Sequence, residues 1–89
     1  MSSDTPPLPV ITEPVIEALV NLIEECAEVS KEVTKALRFG LDHRYRDSVK
    51  RAREYLAHEL GQLRATTDIL CNAGQIDPLD IQRGYVEKM

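Results

Sequence analysis

Tryptophan is missing from this sequence and phenylalanine occurs once, so any surface for stacking bases must rest on Phe39, Tyr45, Tyr55 or Tyr85. Cysteine occurs only as Cys26 and Cys71, with no CxxC pair and no Cys/His spacing of the kind that holds zinc. That argues against a disulfide framework and leads us to expect two reduced thiols on the apolar faces of a cytoplasmic protein's helices. No stretch reaches the roughly 20 apolar residues that span a bilayer. The N-terminus has no basic region followed by an apolar run, so neither a membrane anchor nor a signal peptide is expected. Segments of strand period and internal repeats are absent too, which leaves an all-α chain. Positive charge is in deficit: a net charge of −4 argues against a generic nucleic-acid binder.

What is present is a small chain of 89 residues with three helical segments. Residues 1–11 carry Pro6, Pro7 and Pro9 and read as an extended arm. Residues 12–89 read as one helical domain. Thr12 suits an N-cap, Pro14 is tolerated in a first turn, and Gly40 suits a stop, so the first helix is expected over about 13–39. Asp47 or Ser48 is the expected cap of a second helix over about 48–73, with Gly74 following it. Asp77-Pro78 is a further capping signal for a short helix over about 78–88. A long antiparallel helical hairpin with a short third helix is the expected architecture. Each long helix has an apolar stripe about 100° wide that one hairpin covers only in part, so self-association into four-helix bundles is expected.

Charge is distributed unevenly. Glu13 to Glu32 holds six glutamates against Lys31, whereas Arg38 to Arg53 holds six Lys or Arg against Asp42 and Asp47. At about 100° per residue, Glu25 and Glu32 lie on the border of an apolar stripe formed by Ala18, Leu22, Cys26, Val29, Val33, Ala36 and Leu37. Glu28 lies about 60° further out. In the second helix Glu59 borders the stripe of Val49, Ala52, Leu56, Leu60, Leu63, Thr67, Leu70 and Cys71, with Gln62 beyond it. Antiparallel packing would bring Glu25, Glu28, Glu59 and Gln62 to one side. Carboxylates held beside a core repel one another and call for a cation, and paired acids on bundle helices can supply a divalent metal site. A solvated acidic face is the other reading of the same spacing. Asp68 falls about 180° from Glu59 and is expected to face outward. Glu54 and His58 are an expected surface pair at i,i+4.

Glu24-Glu25-Cys26-Ala27-Glu28, followed by Glu59-Leu60-Gly61-Gln62, resembles the EExxE…ExxD signature of the MazG-like, all-α nucleoside triphosphate pyrophosphohydrolases. Ser30 to Gly40 is similar to the segment after the first motif in small, phage-type members. The resemblance runs from about Leu22 to the C-terminus. It implies a four-helix active unit made by at least two subunits, in which Mg²⁺, with Mn²⁺ as a substitute, is held by Glu25, Glu28 and Glu59. Gln62 stands where the family has Asp; an amide oxygen can ligate a hard cation or hold its water, without the charge. Lys88 matches a lysine that meets the phosphates.

The reaction implied is (d)NTP plus water giving (d)NMP and pyrophosphate, with a purine such as dGTP as substrate and control of the nucleotide pool as its use. Glu24 is the candidate for orienting water or taking its proton. Lys31, Lys35 and Arg38 share one flank and are candidate phosphate contacts, including from a neighbouring subunit. Two other readings stand beside this one: a nucleotide-binding protein weakened in catalysis at Gln62, and a helical oligomerisation module whose glutamates only solubilise it.

Overall fold

The computed structural model describes residues 12–45 and 48–89; the Pro-rich arm and Asp47 lie outside them. Within the described residues the chain is all-helical, with three helices and no strand: α1 (Glu13–Phe39), α2 (Ala52–Asn72) and α3 (Pro78–Lys88). No helix among these residues is long and apolar enough to cross a membrane.

The ends of α1 follow from local chemistry. Thr12 is the N-cap by backbone geometry, with φ −71° and ψ 155°, although its side chain makes no capping bond. Proline in the first turn removes an amide that would have no partner there. Gly40 ends the helix at φ 93°, a conformation that costs a side chain-bearing residue heavily, and its amide donates to the Ala36 carbonyl. With ψ 155° this is an extended, mirror-image conformation rather than a left-handed helical turn.

The second helix starts later than the sequence suggests. It begins at Ala52, with Arg51 as N-cap, rather than after Asp47 or Ser48. Ser48 is engaged elsewhere: its hydroxyl lies 2.7 Å from the Tyr55 hydroxyl and accepts from the Lys50 amide at 3.2 Å. The cap is completed by Glu54, whose Oε1 accepts from Arg51 Nε at 2.9 Å and, at 3.5 Å, from the Arg51 amide. Glu54 therefore pairs with Arg51 and not with His58. Between the helices the chain doubles back on itself. Ala52 donates to the His43 carbonyl and Arg53 to that of Leu41, each at 2.8 Å, and Arg44 bridges Arg51.

At its far end α2 stops at Asn72, and Gly74 follows at φ 74°, which glycine adopts without strain. Asp77 caps α3 as expected, its carboxylate accepting from the Leu79 amide at 2.9 Å.

Helices α1 and α2 pack on each other, and among the described residues no other pair of helices does so substantially. The buried line of α1 runs through Val15, Ala18, Leu22, Glu25, Val29, Glu32 and Ala36, buried or half-buried throughout. On α2 it runs through Ala52, Leu56, Glu59, Leu63, Thr66 and Leu70. Both lines alternate steps of three and four residues, the spacing that keeps one seam facing its neighbour. Ala18, Ala52 and Thr66 are small enough to let the helices approach closely.

This seam is rotated from the centre of α1's apolar stripe. Glu25 and Glu32 lie in it rather than on its border. Val33, Leu37 and Cys26, read as stripe residues, are exposed instead, Leu37 at 83%. Cys26 is thus not a core thiol, while Cys71 is half-buried. A single partner helix covers only one side of so wide a stripe, and the other side is left bare: Ile16, Leu19, Val20, Ile23, Val33 and Leu37.

Candidate functional site

The seam carries two carboxylates to one level. Glu25 projects from the middle of α1 and Glu59 from the middle of α2, both half-buried. The Glu25 carboxyl is pushed above its ordinary range, first by burial and then by the charge of Glu59, which stands within hydrogen-bonding reach. The charges of Glu28 and Glu24 add to the same shift. One oxygen, Oε2 of Glu25, is buried with no hydrogen-bond partner among the described residues. Two carboxylates can share a hydrogen bond only when one holds a proton, so at neutral pH this pair is short of positive charge.

Four other acids in this chain have a cation. Asp42 is held by Arg51 and Arg53, Glu54 by Arg51, Asp80 by Arg83 and Glu32 by Lys35. Among the described residues Glu24, Glu25, Glu28 and Glu59 make no ion pair.

The other expected site residues divide into three groups. Glu24 and Glu28 are exposed on α1 and reach Glu25 through charge alone. Gln62 is exposed one turn beyond Glu59; its backbone carbonyl accepts from the buried Thr66 hydroxyl at 3.1 Å, and its side chain has no partner among the described residues. Lys88 is exposed on the last turn of α3, and no packing of α3 on α1 brings it to the carboxylates. Of the three flank cations, Lys31 is exposed. Lys35 is engaged with Glu32 at 3.6 Å and lies 4.9 Å above the Tyr45 ring. Arg38 lies 5.2 Å over the Phe39 ring. Asp68 faces outward as expected and lines a groove of about 550 Å³ with Leu60, Leu63, Thr67, Cys71 and Ile81, at the α2–α3 end rather than at the carboxylate pair.

Could Glu25 and Glu59 hold a metal? Among the described residues no three His, Cys, Asp or Glu side chains stand together as a ready-made cage. Mg²⁺ does not need one: it keeps several waters and is commonly bound by one or two carboxylates together with substrate phosphates. An unpartnered carboxylate oxygen facing a second carboxylate is a donor set of that type, so the residues present fit.

Two further buried groups lie outside the acidic motif, Glu32 being two helical turns along α1 from Glu25. Glu32 is 7% exposed and has its Oε2 buried without a partner among the described residues, and the Tyr45 hydroxyl is likewise buried without one. The signal was present: Glu32 is seven residues from Glu25 and shares its line on α1. Compared with known protein families, with curated proteins and with solved structures, the chain finds no match.

Proposed function

We propose that this chain is a metal-dependent nucleoside triphosphate pyrophosphohydrolase that converts a (d)NTP and water to (d)NMP and pyrophosphate. The observation that carries the reading is the half-buried Glu25 carboxyl, one oxygen unpartnered, set against Glu59 with no cation beside either among the described residues. The order of the acidic motifs, which resembles that of the MazG-like enzymes, supports it.

In this reading Glu25 and Glu59 hold Mg²⁺, with Glu28 and Gln62 at the rim of the site. The metal supplies charge neutralisation for a triphosphate and a lowered pKa for its bound water. Glu24, exposed next to Glu25, is the proposed acceptor of the proton of an attacking water. Half-burial of the pair strengthens each electrostatic contact to the phosphates relative to open water. A purine nucleotide such as dGTP is the proposed substrate.

The working unit is a homo-oligomer, at least a dimer, in which α1 and α2 form an antiparallel hairpin and two hairpins make a four-helix bundle. The bare apolar side of α1 supports this, with Ile23 70% exposed. Lys88, Lys31 and Arg38, which lie away from the pair in one chain, would then meet phosphates bound by a neighbour.

A panel of nucleoside triphosphates with Mg²⁺ or Mn²⁺, with products separated, tests the proposal. The expected result is pyrophosphate and a nucleoside monophosphate. Binding of nucleotide without any turnover would replace it with the binding reading, in which Gln62 marks lost catalysis. No nucleotide binding at all would leave the oligomerisation module.

A further inference from the structure

The bare side of α1 has the spacing of a second helix-pairing seam. Leu19, Ile23, Cys26, Ser30, Val33 and Leu37 are all exposed and follow one another at steps of four and three residues. That is the alternation by which the other side of α1 packs on α2. Helix α2 leaves no such line, since among its large apolar side chains only Leu60 and Ile69 are exposed. A single exposed apolar side chain is ordinary, but a continuous stripe over about five helical turns marks a surface that another helix covers.

Charge says which helix that is. Beside the bare seam, on the side away from α2, Glu17, Glu24, Lys31 and Arg38 form a line at heptad spacing, all four exposed. Among the described residues none of the four makes an ion pair. The sign of the line changes halfway: acidic toward the N-terminus, basic toward the C-terminus. Such a line repels an identical one laid parallel to it and attracts one laid antiparallel. From this self-complementarity we infer that the seam is covered by α1 of a second copy, running antiparallel, with the twofold axis level with Glu28. The inference rests on the homo-oligomer of the proposed function, whose geometry it fixes, and is independent of the nucleotide reading.

One alignment satisfies the seam and the charges together. With the axis level with Glu28, Leu19 faces Leu37 of the second copy, Ile23 faces its Val33 and Cys26 its Ser30, each contact made twice by symmetry. The same alignment brings Glu24 within one residue of level with Lys31 of the second copy, and Glu17 within one residue of its Arg38. Between the seam and the charges stand Val20, Ala27 and Thr34, short enough for the long charged side chains to meet over them. A shift by one heptad keeps an apolar seam but sets Glu24 beside Glu24, or Lys31 beside Lys31. Charge therefore decides the register. Lys31 and Arg38 go to a neighbouring subunit, as in the proposed function, and stand there against its Glu24 and Glu17.

Charge reversal, read by sedimentation, and cross-linking test this together. Glu24→Lys or Lys31→Glu alone should weaken dimerisation by about tenfold, and the two in one chain should restore it to within about threefold of wild type. For cross-linking, both cysteines are first replaced by Ser. Position 27 then lies about 3 Å along the axis from its counterpart in the second copy, so Ala27→Cys should be joined by a short bismaleimide. Position 20 lies about 24 Å from its counterpart, so Val20→Cys should not be joined. A double reversal no stronger than either single one overturns the assignment. So does cross-linking at both positions, which a parallel pairing gives, or at neither in an oligomeric chain, which cover by another element such as α3 of a second copy gives. Each of these leaves the homo-oligomer and the nucleotide reading intact. A wild-type chain that sediments as a folded monomer overturns both the assignment and the homo-oligomer. The charge variants alter only exposed side chains, so they decide even if the serine background fails to fold.

Discussion

Asp42 and Glu25 show two opposite treatments of a carboxylate in one small chain. At the turn between the long helices, Asp42 Oδ1 receives Arg53 Nε at 2.8 Å and Arg51 Nη1 at 3.2 Å. Those guanidiniums hold its carboxyl below the ordinary range, the hydrogen bond from Arg53 first. Halfway along the seam, Glu25 receives no cation among the described residues and faces Glu59, and its carboxyl is pushed upward. The first arrangement closes a turn and is complete within the chain. The second is left without a cation among the described residues, and the proposed metal would supply one.

The comparison breaks most visibly in turnover. Glu25→Gln or Glu59→Gln should lower NTP hydrolysis by about 100-fold or more while leaving the melting temperature unchanged or higher, because like-charge repulsion is relieved. Unchanged turnover in Glu59→Gln would remove that residue from the site.

Acid and base titration of stability should separate the two carboxylates next. A raised folded-state pKa means that Glu25 favours folding most below about pH 4.5, and that this contribution is lost as pH rises through the raised value. Glu25→Gln should therefore flatten the decline in stability between acid and neutral pH. Asp42 has the opposite sign: its contribution is present above about pH 3.8 and is lost as pH falls through the lowered value. Asp42→Asn should cost stability at neutral pH and nothing in strong acid. Urea unfolding at a series of pH values checks both, and parallel profiles for the two variants would contradict the contrast.

A smaller effect is expected from Gln62→Asp, which adds one negative charge beside the pair. Mn²⁺ affinity by calorimetry should rise by about tenfold if the shorter side chain still reaches. Equal affinities would place Gln62 outside the metal's surroundings. The smallest effect belongs to Asp68→Asn: turnover should be unchanged and stability within about 0.5 kcal/mol, as for an ordinary surface substitution.

The ends of the helices were legible wherever the signal was purely local. Pro14 and Gly40 bound α1, and Asp77 with Pro78 opens α3, because an absent amide, a positive φ and a side-chain cap each act within a few residues. The start of α2 was not legible in the same way. Ser48 looks like a cap but is drawn to Tyr55 and Lys50, and Arg51 with Glu54 closes the turn instead. Periodicity also placed Glu25 and Glu59 beside the apolar stripes without showing which edge of a wide stripe meets the neighbouring helix. That choice put Glu25 and Glu32 inside the seam and left Cys26 and Leu37 outside it. The third helix was legible as a helix, but nothing in its sequence says that it stands apart from the other two.

The alternating three-and-four spacing of the seam makes the pairing of the long helices ambiguous by one heptad. In an antiparallel hairpin, a slip of seven residues would keep every seam position facing inward and exchange Glu25 for Glu32 as the neighbour of Glu59. Apolar burial alone discriminates weakly between such alignments, so the turn must act as the gauge that sets where α2 begins its return. Its tie points are the bonds from Ala52 to His43 and from Arg53 to Leu41, together with the grip of Asp42 on two arginines. The turn thereby determines which acids become neighbours in the candidate site, about four helical turns away along α1 and about two along α2, and its length is a calibration of that site.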